Sequence, residues 1–243
     1  MLDAHSVKPL YEQIKDHILR AIEKGVYEPG TRIQSERALS EKYGVNRMTV
    51  KKAIDELVQM GYLDVRIGKG TYVSRPKIDQ QLTALTSFTE DMAKRGQSAS
   101  SRVLVAGYVP ADVQEARILN IDPMTPLVFL IRVRMAGETP MAVERSKIIA
   151  SCCRQIVELY DFSRDSLYSV LRNVYGVHLA YAEQSIEARR ATAEEASLLQ
   201  IEIGEPILQI TRVTFSDGDK PVEYVRSAYC GARYKFQALL RNI

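Results

Sequence analysis

The sequence predicts an α+β protein with two domains, and three observations support this. Three segments with helical periodicity precede a short strand pair within the segment 1–75. The rest of the chain repeats its own pattern, so that the segment 111–133 recurs as 191–213. A chain of 243 residues is also long for one compact domain and comfortable for two. We therefore predict a first domain over 1–75, a linker over 76–82 and a second domain over 83–243.

The composition excludes several classes of protein. No apolar run reaches the roughly 18 residues of a membrane helix, and the N-terminus lacks the basic and apolar regions of a signal peptide. The three cysteines, Cys152, Cys153 and Cys230, lack the spacing of zinc ligands. We expect a cytoplasmic protein with reduced cysteines, no metal and no cofactor.

The charge distribution is uneven. The segment 1–75 holds 13 Lys+Arg against 10 Asp+Glu, whereas the remainder holds 20 of each. A basic bias of this size fits either a nucleic-acid partner or a solvated surface.

The first domain begins with three predicted helices. The first starts after Pro9 and ends near Gly25, with an apolar stripe at Leu10, Ile14, Ile18, Ala21 and Ile22. The second runs from its N-cap Ser35 to Tyr43. Gly44 then provides a left-handed turn, and Asn46 caps the third helix. Two short helices joined by such a turn are typical of a helix-turn-helix.

The third helix has an apolar face and a basic face. Val50, Ala53, Ile54, Leu57 and Val58 form the apolar face. Arg47, Lys51 and Asp55 lie one turn apart on the other face, beside Met48 and Lys52. Such a basic face is either a solvated surface or a recognition helix, in which arginine contacts guanine and Thr49 contacts phosphate.

A predicted hairpin after the third helix favours DNA binding. Leu63, Val65 and Ile67 alternate with polar residues before a tip at Gly68-Lys69-Gly70. Small residues let the backbone approach DNA, and the lysine adds charge for phosphate or the minor groove. Three helices and a basic-tipped hairpin predict a winged helix-turn-helix.

These segments resemble a known family. Ser35-Glu36-Arg37, Asn46-Arg47-Met48-Thr49-Val50 and the Gly68–Val73 hairpin resemble the signature of the GntR family of winged-helix regulators. The resemblance implies that Arg37 and Arg47 contact bases or backbone, and that the 68–70 wing probes the minor groove. Lys51 stands where arginine is common in the family, so the operator sequence stays open. The candidate DNA-binding residues are Ser35, Arg37, Arg47, Thr49, Lys51, Lys52, Gly68, Lys69 and Gly70.

The second domain contains an internal duplication. Both halves are predicted to have the same order of elements, which is helix, strand, short helix, long strand, turn and strand. We expect two αβαββ halves around a pseudo-twofold axis, forming one antiparallel sheet with helices against it. The matched pairs include Ala111 with Ala191, Glu115 with Glu195, Leu119 with Leu199, Pro126 with Pro206, and Arg132-Val133 with Arg212-Val213.

A ligand site is expected where the halves meet. Arg132 and Arg134 share one face of a strand and repel each other unless an anion joins them. The segment Ser87-Phe88-Thr89 opens a helix with free N–H groups, which also suits a phosphate. Glu144 lies four residues after Pro140 and Glu223 two residues after Pro221. Because side chains alternate along a strand, these even spacings predict that both carboxylates face one surface.

Alternatives exist for each of these features. Ser87 and Thr89 could instead be ordinary helix caps. Arg132 and Arg134 could instead pair with Glu144 and Glu223 in an ion-pair ladder. Tyr229 and Arg226 either line the site or simply pack.

The resemblance extends over almost the whole chain. The segments 85–92, 132–134 and 140–144 resemble the UTRA effector domain, with its chorismate-lyase-like fold, of the HutC subfamily, and in particular NagR-type regulators of N-acetylglucosamine use. The resemblance implies an effector such as glucosamine 6-phosphate or N-acetylglucosamine 6-phosphate; related members sense other phosphosugars or acids. The implied effector residues are Ser87, Phe88, Thr89, Arg132, Arg134, Glu144, Ser166, Tyr168, Glu223 and Tyr229.

Two rival functions come from other classes. Because the implied fold is that of a lyase, catalysis is one of them, but no Ser-His-acid pattern, metal cluster or P-loop is present. A second domain that only dimerises is the other. We expect a regulator rather than an enzyme: a homodimer, joined through its second domains, that binds a palindromic double-stranded operator and a sugar phosphate without any membrane association.

Overall fold

The computed structural model describes residues 2, 6, 8–66, 68–74 and 77–240. The chain divides into two compact units, residues 1–76 and 77–243. Ile67 of the predicted hairpin and Arg75 and Pro76 near the predicted linker lie outside the described residues.

The first unit consists of three helices and a strand pair. Its elements are α1 (Leu10–Glu23), α2 (Glu36–Tyr43), α3 (Arg47–Gln59), β1 (Leu63–Arg66) and β2 (Gly70–Val73), the two strands being antiparallel. The predicted apolar stripes form one core, in which Ile14, Ile18, Leu39, Val50 and Leu57 are fully or almost fully buried. This is the winged helix-turn-helix that the sequence predicts.

Local caps explain where the two central helices begin. The Ser35 side chain accepts a hydrogen bond from the backbone N–H of Ala38 (3.2 Å) and so caps α2. Gly44 ends this helix with φ of 66°, a left-handed conformation that favours glycine. The Asn46 side chain accepts the N–H of Thr49 (2.8 Å) and starts α3.

The second unit is built on one sheet of six antiparallel strands. Its strand order is β4-β5-β6-β9-β8-β7, so each half supplies three consecutive strands and the two halves meet at β6 and β9. The elements of this sheet are β4 (Ala99–Pro110), β5 (Pro126–Ala136), β6 (Thr139–Ile149), β7 (Leu179–Arg190), β8 (Pro206–Ser216) and β9 (Lys220–Cys230). Strands β4 and β5 recur as β7 and β8 at the spacing that relates Ala111 to Ala191, which confirms the duplication.

Helices cover both faces of this sheet. The helices are α4 (Phe88–Ala93), α5 (Val113–Leu119), α6 (Ile156–Leu159), α7 (Leu167–Asn173) and α8 (Ala193–Leu199), with a 3-10 turn at Ala150–Cys152. Helix α5 of the first half packs against β9, and α8 of the second half packs against β6. This exchange follows the pseudo-twofold symmetry, and it leaves α4 and α7 on the opposite face of the sheet.

A small parallel ribbon stands apart from the main sheet. Residues 78–81, which the sequence placed in the linker, instead form β3 (Ile78–Gln81), which pairs with β10 (Tyr234–Gln237). The alternation of buried Ile78 and Gln80 with more exposed neighbours gives β3 an inward face. The predicted linker is therefore too long at its C-terminal end.

Other sequence expectations concern the membrane, metals and cysteines. Across the described residues, no helix is both long and apolar enough to cross a bilayer. The same residues contain no group of three or more His, Cys, Asp or Glu side chains that could hold a metal ion. The three cysteines are free thiols, and burial raises the pKa of Cys153 to about 12.

Candidate functional site

The exposed face of α3 carries the predicted recognition residues. Arg47 is the first residue of this helix, and its side chain is 66% exposed with a carboxylate of Glu36 at 3.4 Å. Lys51 is exposed one turn further on. Lys52 lies over the Tyr11 ring, 3.8 Å from its centroid, which holds its ammonium group against the helix bundle. The face is therefore basic and solvent-accessible at its N-terminal end, where a recognition helix contacts bases.

Other predicted DNA-binding residues serve the local structure as well. Ser35 caps α2, and the Thr49 hydroxyl donates to Asn46 Oδ1 (2.9 Å). Arg37 lies on the first turn of α2, 80% exposed, with Glu41 at 3.0 Å. An exposed pair of this kind contributes little to stability, so the guanidinium group can exchange Glu41 for a phosphate at small cost.

The tip of the hairpin requires both of its glycines. Gly68 and Gly70 have φ of 73° and 108°, which side-chain-bearing residues rarely adopt. Gly70 also lies directly against Arg32, because a Cβ built there would come within 2.6 Å of Arg32 Nε. Arg32 forms a β-bridge with Tyr72, so the wing is anchored on a third chain segment. Lys69 is exposed between the two glycines.

A cavity lies on the six-stranded sheet, beneath α4 and α7. Its internal volume is about 40 Å³, and it opens to solvent. Nine of the predicted effector residues line it: Ser87, Phe88, Arg132, Arg134, Glu144, Ser166, Tyr168, Glu223 and Tyr229. The tenth, Thr89, touches the site through its hydroxyl, which accepts a hydrogen bond from Arg134 (3.4 Å).

The two arginines of β5 have unequal partners. Arg132 forms an ion pair with Glu144, which lies directly opposite on β6. Arg134 has no carboxylate partner among the described residues; it lies over the Phe88 ring, 4.8 Å from the centroid. The ion-pair alternative therefore holds for Arg132, because the β5–β6 register places Glu144 beside it. Arg134 is attracted by the same carboxylate but forms no ion pair with it among the described residues.

Several guanidinium nitrogens in the cavity have no hydrogen-bond partner. Arg132 and Arg134 are 3% and 4% exposed. Nε and Nη1 of Arg132 and Nε of Arg134 are buried, and no described residue accepts a hydrogen bond from them. Burial and the neighbouring Arg132 lower the pKa of Arg134 to about 10. A buried charge left in this condition is costly, which is typical of a site that receives an anion from outside.

The two carboxylates on the cavity floor are in different electrostatic environments. Burial alone would raise the pKa of Glu144, but Arg132 and Arg134 together hold it below its ordinary value. Burial raises the pKa of Glu223, whose Oε2 accepts hydrogen bonds from the Tyr168 hydroxyl (2.8 Å) and from Thr214 (3.1 Å). Glu144 therefore serves as a counterion, and Glu223 belongs to a network of hydroxyl groups.

The starts of α4 and α7 meet above the floor. Ser87 and Ser166 are the N-caps of these helices, and their hydroxyl oxygens lie 3.4 Å apart. Ser87 and Glu90 form a full capping box (3.1 and 2.9 Å). The interpretation of Ser87 as a helix cap is therefore correct, and its position on the cavity wall is a separate property.

Several cavity residues were not predicted from the sequence. Arg226, for which lining and packing were both left open, is exposed and is not among the lining residues. Arg212 does line the cavity, and it could have been found because it is the counterpart of Arg132 in the internal repeat. No comparable signal pointed to the remaining lining residues, which are Gln80, Thr86, Leu167, Ile210, Val225 and Ser227.

Comparison with known proteins agrees with both units. Residues 10–73 match the family "Bacterial regulatory proteins, gntR family", and residues 94–235 match the "UTRA domain". The HTH-type transcriptional repressor NagR of Bacillus subtilis is 35% identical, over 97% of this chain and 96% of that protein. The mannosyl-D-glycerate transport/metabolism system repressor MngR of Escherichia coli is 33% identical, over 97% of each.

A solved structure shows the same architecture. The crystal structure of PhnF from Mycobacterium smegmatis matches with a TM-score of 0.68 and 29% identity, over 96% of this chain and 99% of that one. Winged helix, duplicated sheet and family matches lead to one conclusion. The chain belongs to the GntR family, in its HutC subfamily, and is a DNA-binding transcription regulator with a small-molecule-binding UTRA domain, not an enzyme.

Proposed function

We propose that this regulator is a repressor of carbohydrate or amino-sugar genes whose effector is a phosphorylated sugar, such as glucosamine 6-phosphate or N-acetylglucosamine 6-phosphate. One observation carries the proposal: Arg132 and Arg134 line a cavity, and three of their buried guanidinium nitrogens have no acceptor among the described residues. A phosphate dianion supplies both the missing charge and the missing acceptors, and arginine binds it in two-pronged geometry. Another phosphosugar or a small acid is the alternative effector.

The charge of the cavity also favours a phosphate. Three guanidinium groups line it, those of Arg132, Arg134 and Arg212, against the carboxyl groups of Glu144 and Glu223. The hydroxyl of Thr89 lies next to Arg134, so it is available to the same ligand atom. The phosphate end of the effector then lies at Ser87, Phe88, Thr89, Arg132 and Arg134.

The sugar ring is assigned to the remaining polar residues. Ser166, Tyr168 and Tyr229 line the cavity together with Glu144 and Glu223. Glu144 suits an ammonium group because its carboxylate is ionised, whereas an acetamido group needs only a hydrogen-bond partner. Glucosamine 6-phosphate and N-acetylglucosamine 6-phosphate therefore differ in how strongly they use Glu144.

Helix α4 offers a route from the effector to the DNA-binding unit. Its first residues face the cavity, while further along the helix the Asp91 carboxylate accepts a hydrogen bond from Gln80 of β3 (2.7 Å). Arg95 donates to the backbone carbonyls of Asp91 and of Asp79, which also belongs to β3. Strand β3 is the first element of the second unit along the chain. A shift of α4 on effector binding would therefore move the end of the connecting segment.

The remaining parts of the proposal concern assembly. A homodimer joined through the second units would present two winged helices to a palindromic operator in the cytoplasm. Effector and operator would then change each other's affinity by the same factor, because linkage between two sites is reciprocal.

Calorimetry with the full-length protein tests the effector. Glucosamine 6-phosphate, N-acetylglucosamine 6-phosphate, glucose 6-phosphate and unphosphorylated glucosamine are titrated into the wild type, Arg134→Met and a control, Arg226→Met, whose side chain is exposed outside the cavity. We expect at least one sugar phosphate, but not glucosamine, to bind the wild type and Arg226→Met. Binding to Arg134→Met should weaken by about 10- to 100-fold, since a hydrogen-bonded charge is lost. Equal binding by the two variants would contradict the proposal.

The coupling route needs a variant that leaves the cavity intact. Arg95→Met removes the hydrogen bond to Asp79 of β3 without altering a lining residue, and Lys94→Met is a neighbouring exposed control. We expect Arg95→Met to bind sugar phosphate normally while its operator affinity, measured by fluorescence anisotropy, responds less to the ligand. A full response in Arg95→Met would rule out coupling through the Arg95–Asp79 contact.

A further inference from the structure

Arg212 places a third cation in the cavity, on the half that the phosphate does not use. It lies on β8 and is the counterpart of Arg132, but the two halves differ two residues further on, where Arg134 in the first half corresponds to Thr214 in the second. The duplicated floor therefore has a pair of arginines at one end and a single arginine beside a hydroxyl group at the other.

Strand register locates the two ends. Across the four central strands, Arg134 shares a row with Tyr229 and Leu208, whereas Arg212 shares a row with Val225, Ser146 and Leu130. These rows are four positions apart along each strand, and β5 and β8 are separated by three strand spacings. The Cα atoms of Arg134 and Arg212 are therefore roughly 20 Å apart on a flat sheet. The backbones of the two arginines therefore lie at diagonally opposite corners of the floor.

The guanidinium group of Arg212 is held in its own corner. Gln184, its direct partner across β7 and β8, accepts hydrogen bonds from Nε (2.9 Å) and Nη2 (2.6 Å) through one amide oxygen. Because β7 is the outer neighbour of β8, this contact ties the group to the β7 side of the floor.

Glu223 lies beside Arg212 with part of its carboxylate uncommitted. Tyr168 and Thr214 both donate to its Oε2, whereas Oε1 accepts no hydrogen bond from the described residues. Glu223 and Arg212 both line the cavity. A carboxyl oxygen that accepts next to a guanidinium group that donates matches adjacent hydroxyl groups, since each hydroxyl can both donate and accept.

We propose that Arg212 and Glu223 form a second subsite that selects ligands carrying adjacent hydroxyl groups at the end opposite the phosphate, with Gln184 positioning Arg212. This inference rests on the proposed function and names the part of the effector that determines specificity. It assigns the ligand class as sugar monophosphates whose chain or ring is long enough to reach both corners. Short phosphates then occupy only the first corner.

The test compares ligands of different reach in the full-length protein. Glucosamine 6-phosphate, glycerol 3-phosphate and inorganic phosphate are titrated by calorimetry, with weak binders measured by competition, into the wild type, Arg212→Gln, Gln184→Leu and Gln184→Glu. We expect Arg212→Gln to lose about 10- to 100-fold in affinity for glucosamine 6-phosphate but less than about threefold for inorganic phosphate. Gln184→Leu should show the same pattern more weakly. Gln184→Glu keeps an acceptor for Arg212, so its affinity for glucosamine 6-phosphate should be close to that of the wild type.

The outcomes separate the two proposals. Failure of the wild type to bind any of the three phosphates would overturn both. Wild-type discrimination between glucosamine 6-phosphate and inorganic phosphate that persists in Arg212→Gln would overturn only the second subsite, as would an equal loss for both ligands. If Arg212→Gln does not fold, the Gln184 pair decides: equal affinities of Gln184→Leu and Gln184→Glu for glucosamine 6-phosphate would overturn the positioning of Arg212.

Discussion

Replacing Arg134 by methionine should strengthen the ligand-free fold while it weakens effector binding. Arg134 is 4% exposed and lies beside Arg132, with no carboxylate partner among the described residues. Methionine has a similar length, it can remain in contact with Phe88, and it carries no charge to desolvate. The same substitution removes the donor that we assign to phosphate.

The lowered pKa gives the size of the effect. Burial and Arg132 reduce the pKa of Arg134 from 12.5 to about 10, which corresponds to a cost of about 3 kcal/mol for the charged form. The lowered pKa means that the fold disfavours the charged form of Arg134. The folded protein carries this charge below about pH 10, so the full destabilisation applies there. It falls only as the pH rises towards 12.5. After the lost contacts with Phe88 and Thr89 are deducted, we expect a gain of about 1–3 kcal/mol at pH 7.

Differential scanning calorimetry of the full chain measures both effects. A gain of this size raises the Tm of the second unit by roughly 3–8 °C, whereas Arg226→Met, an exposed control, should change it by about 1 °C or less. Saturating sugar phosphate should then raise the Tm of the wild type and of Arg226→Met by more than that of Arg134→Met. An Arg134→Met variant with an unchanged or lower Tm in the absence of ligand would refute the assignment of Arg134 as a cation that its burial and Arg132 destabilise.

Two further predictions concern other parts of the chain. Gly70→Ala should weaken operator binding more than Gly68→Ala in anisotropy titrations, because only at Gly70 would a Cβ meet Arg32; equal losses would contradict this reading of the wing. Glu195→Gln should remove up to about 3 kcal/mol of stability in urea unfolding at pH 7, since Arg189 lowers the pKa of Glu195 from 4.5 to about 2. That difference should persist above pH 4.5 and vanish as the pH falls towards 2; a pH-independent difference would contradict it.

Features set by neighbouring residues could be predicted from the sequence. The helix starts at Ser35 and Asn46 depend on hydrogen bonds to backbone groups within the next turn, and the wing tip depends on two closely spaced glycines. The division of the sheet into two equivalent halves was accessible for another reason, because the segment 111–133 recurs as 191–213. Each of these signals lies within one short segment or one repeat.

Features set by distant pairing could not be predicted. Strand β3 is short and pairs with β10, which lies at the other end of the second unit, so no local pattern distinguishes it from a linker. The ion pair of Arg132 with Glu144 depends on the β5–β6 register. The alternation of side chains along a strand shows which face Arg132 is on, but it does not decide between Glu144 and Glu223 as its partner. Arg212 was visible as a repeat partner, but Thr214 replaces the second arginine there, so the paired-cation signal was absent.

A crystal structure of the protein grown with glucosamine 6-phosphate examines the role of the paired arginines. We expect the phosphate within hydrogen-bond distance of Arg134 Nε and of Arg132 Nε or Nη1, the buried nitrogens that lack acceptors among the described residues. Density for the phosphate at any other place, or an empty cavity at saturating ligand, would contradict the assignment of this cavity as the effector site.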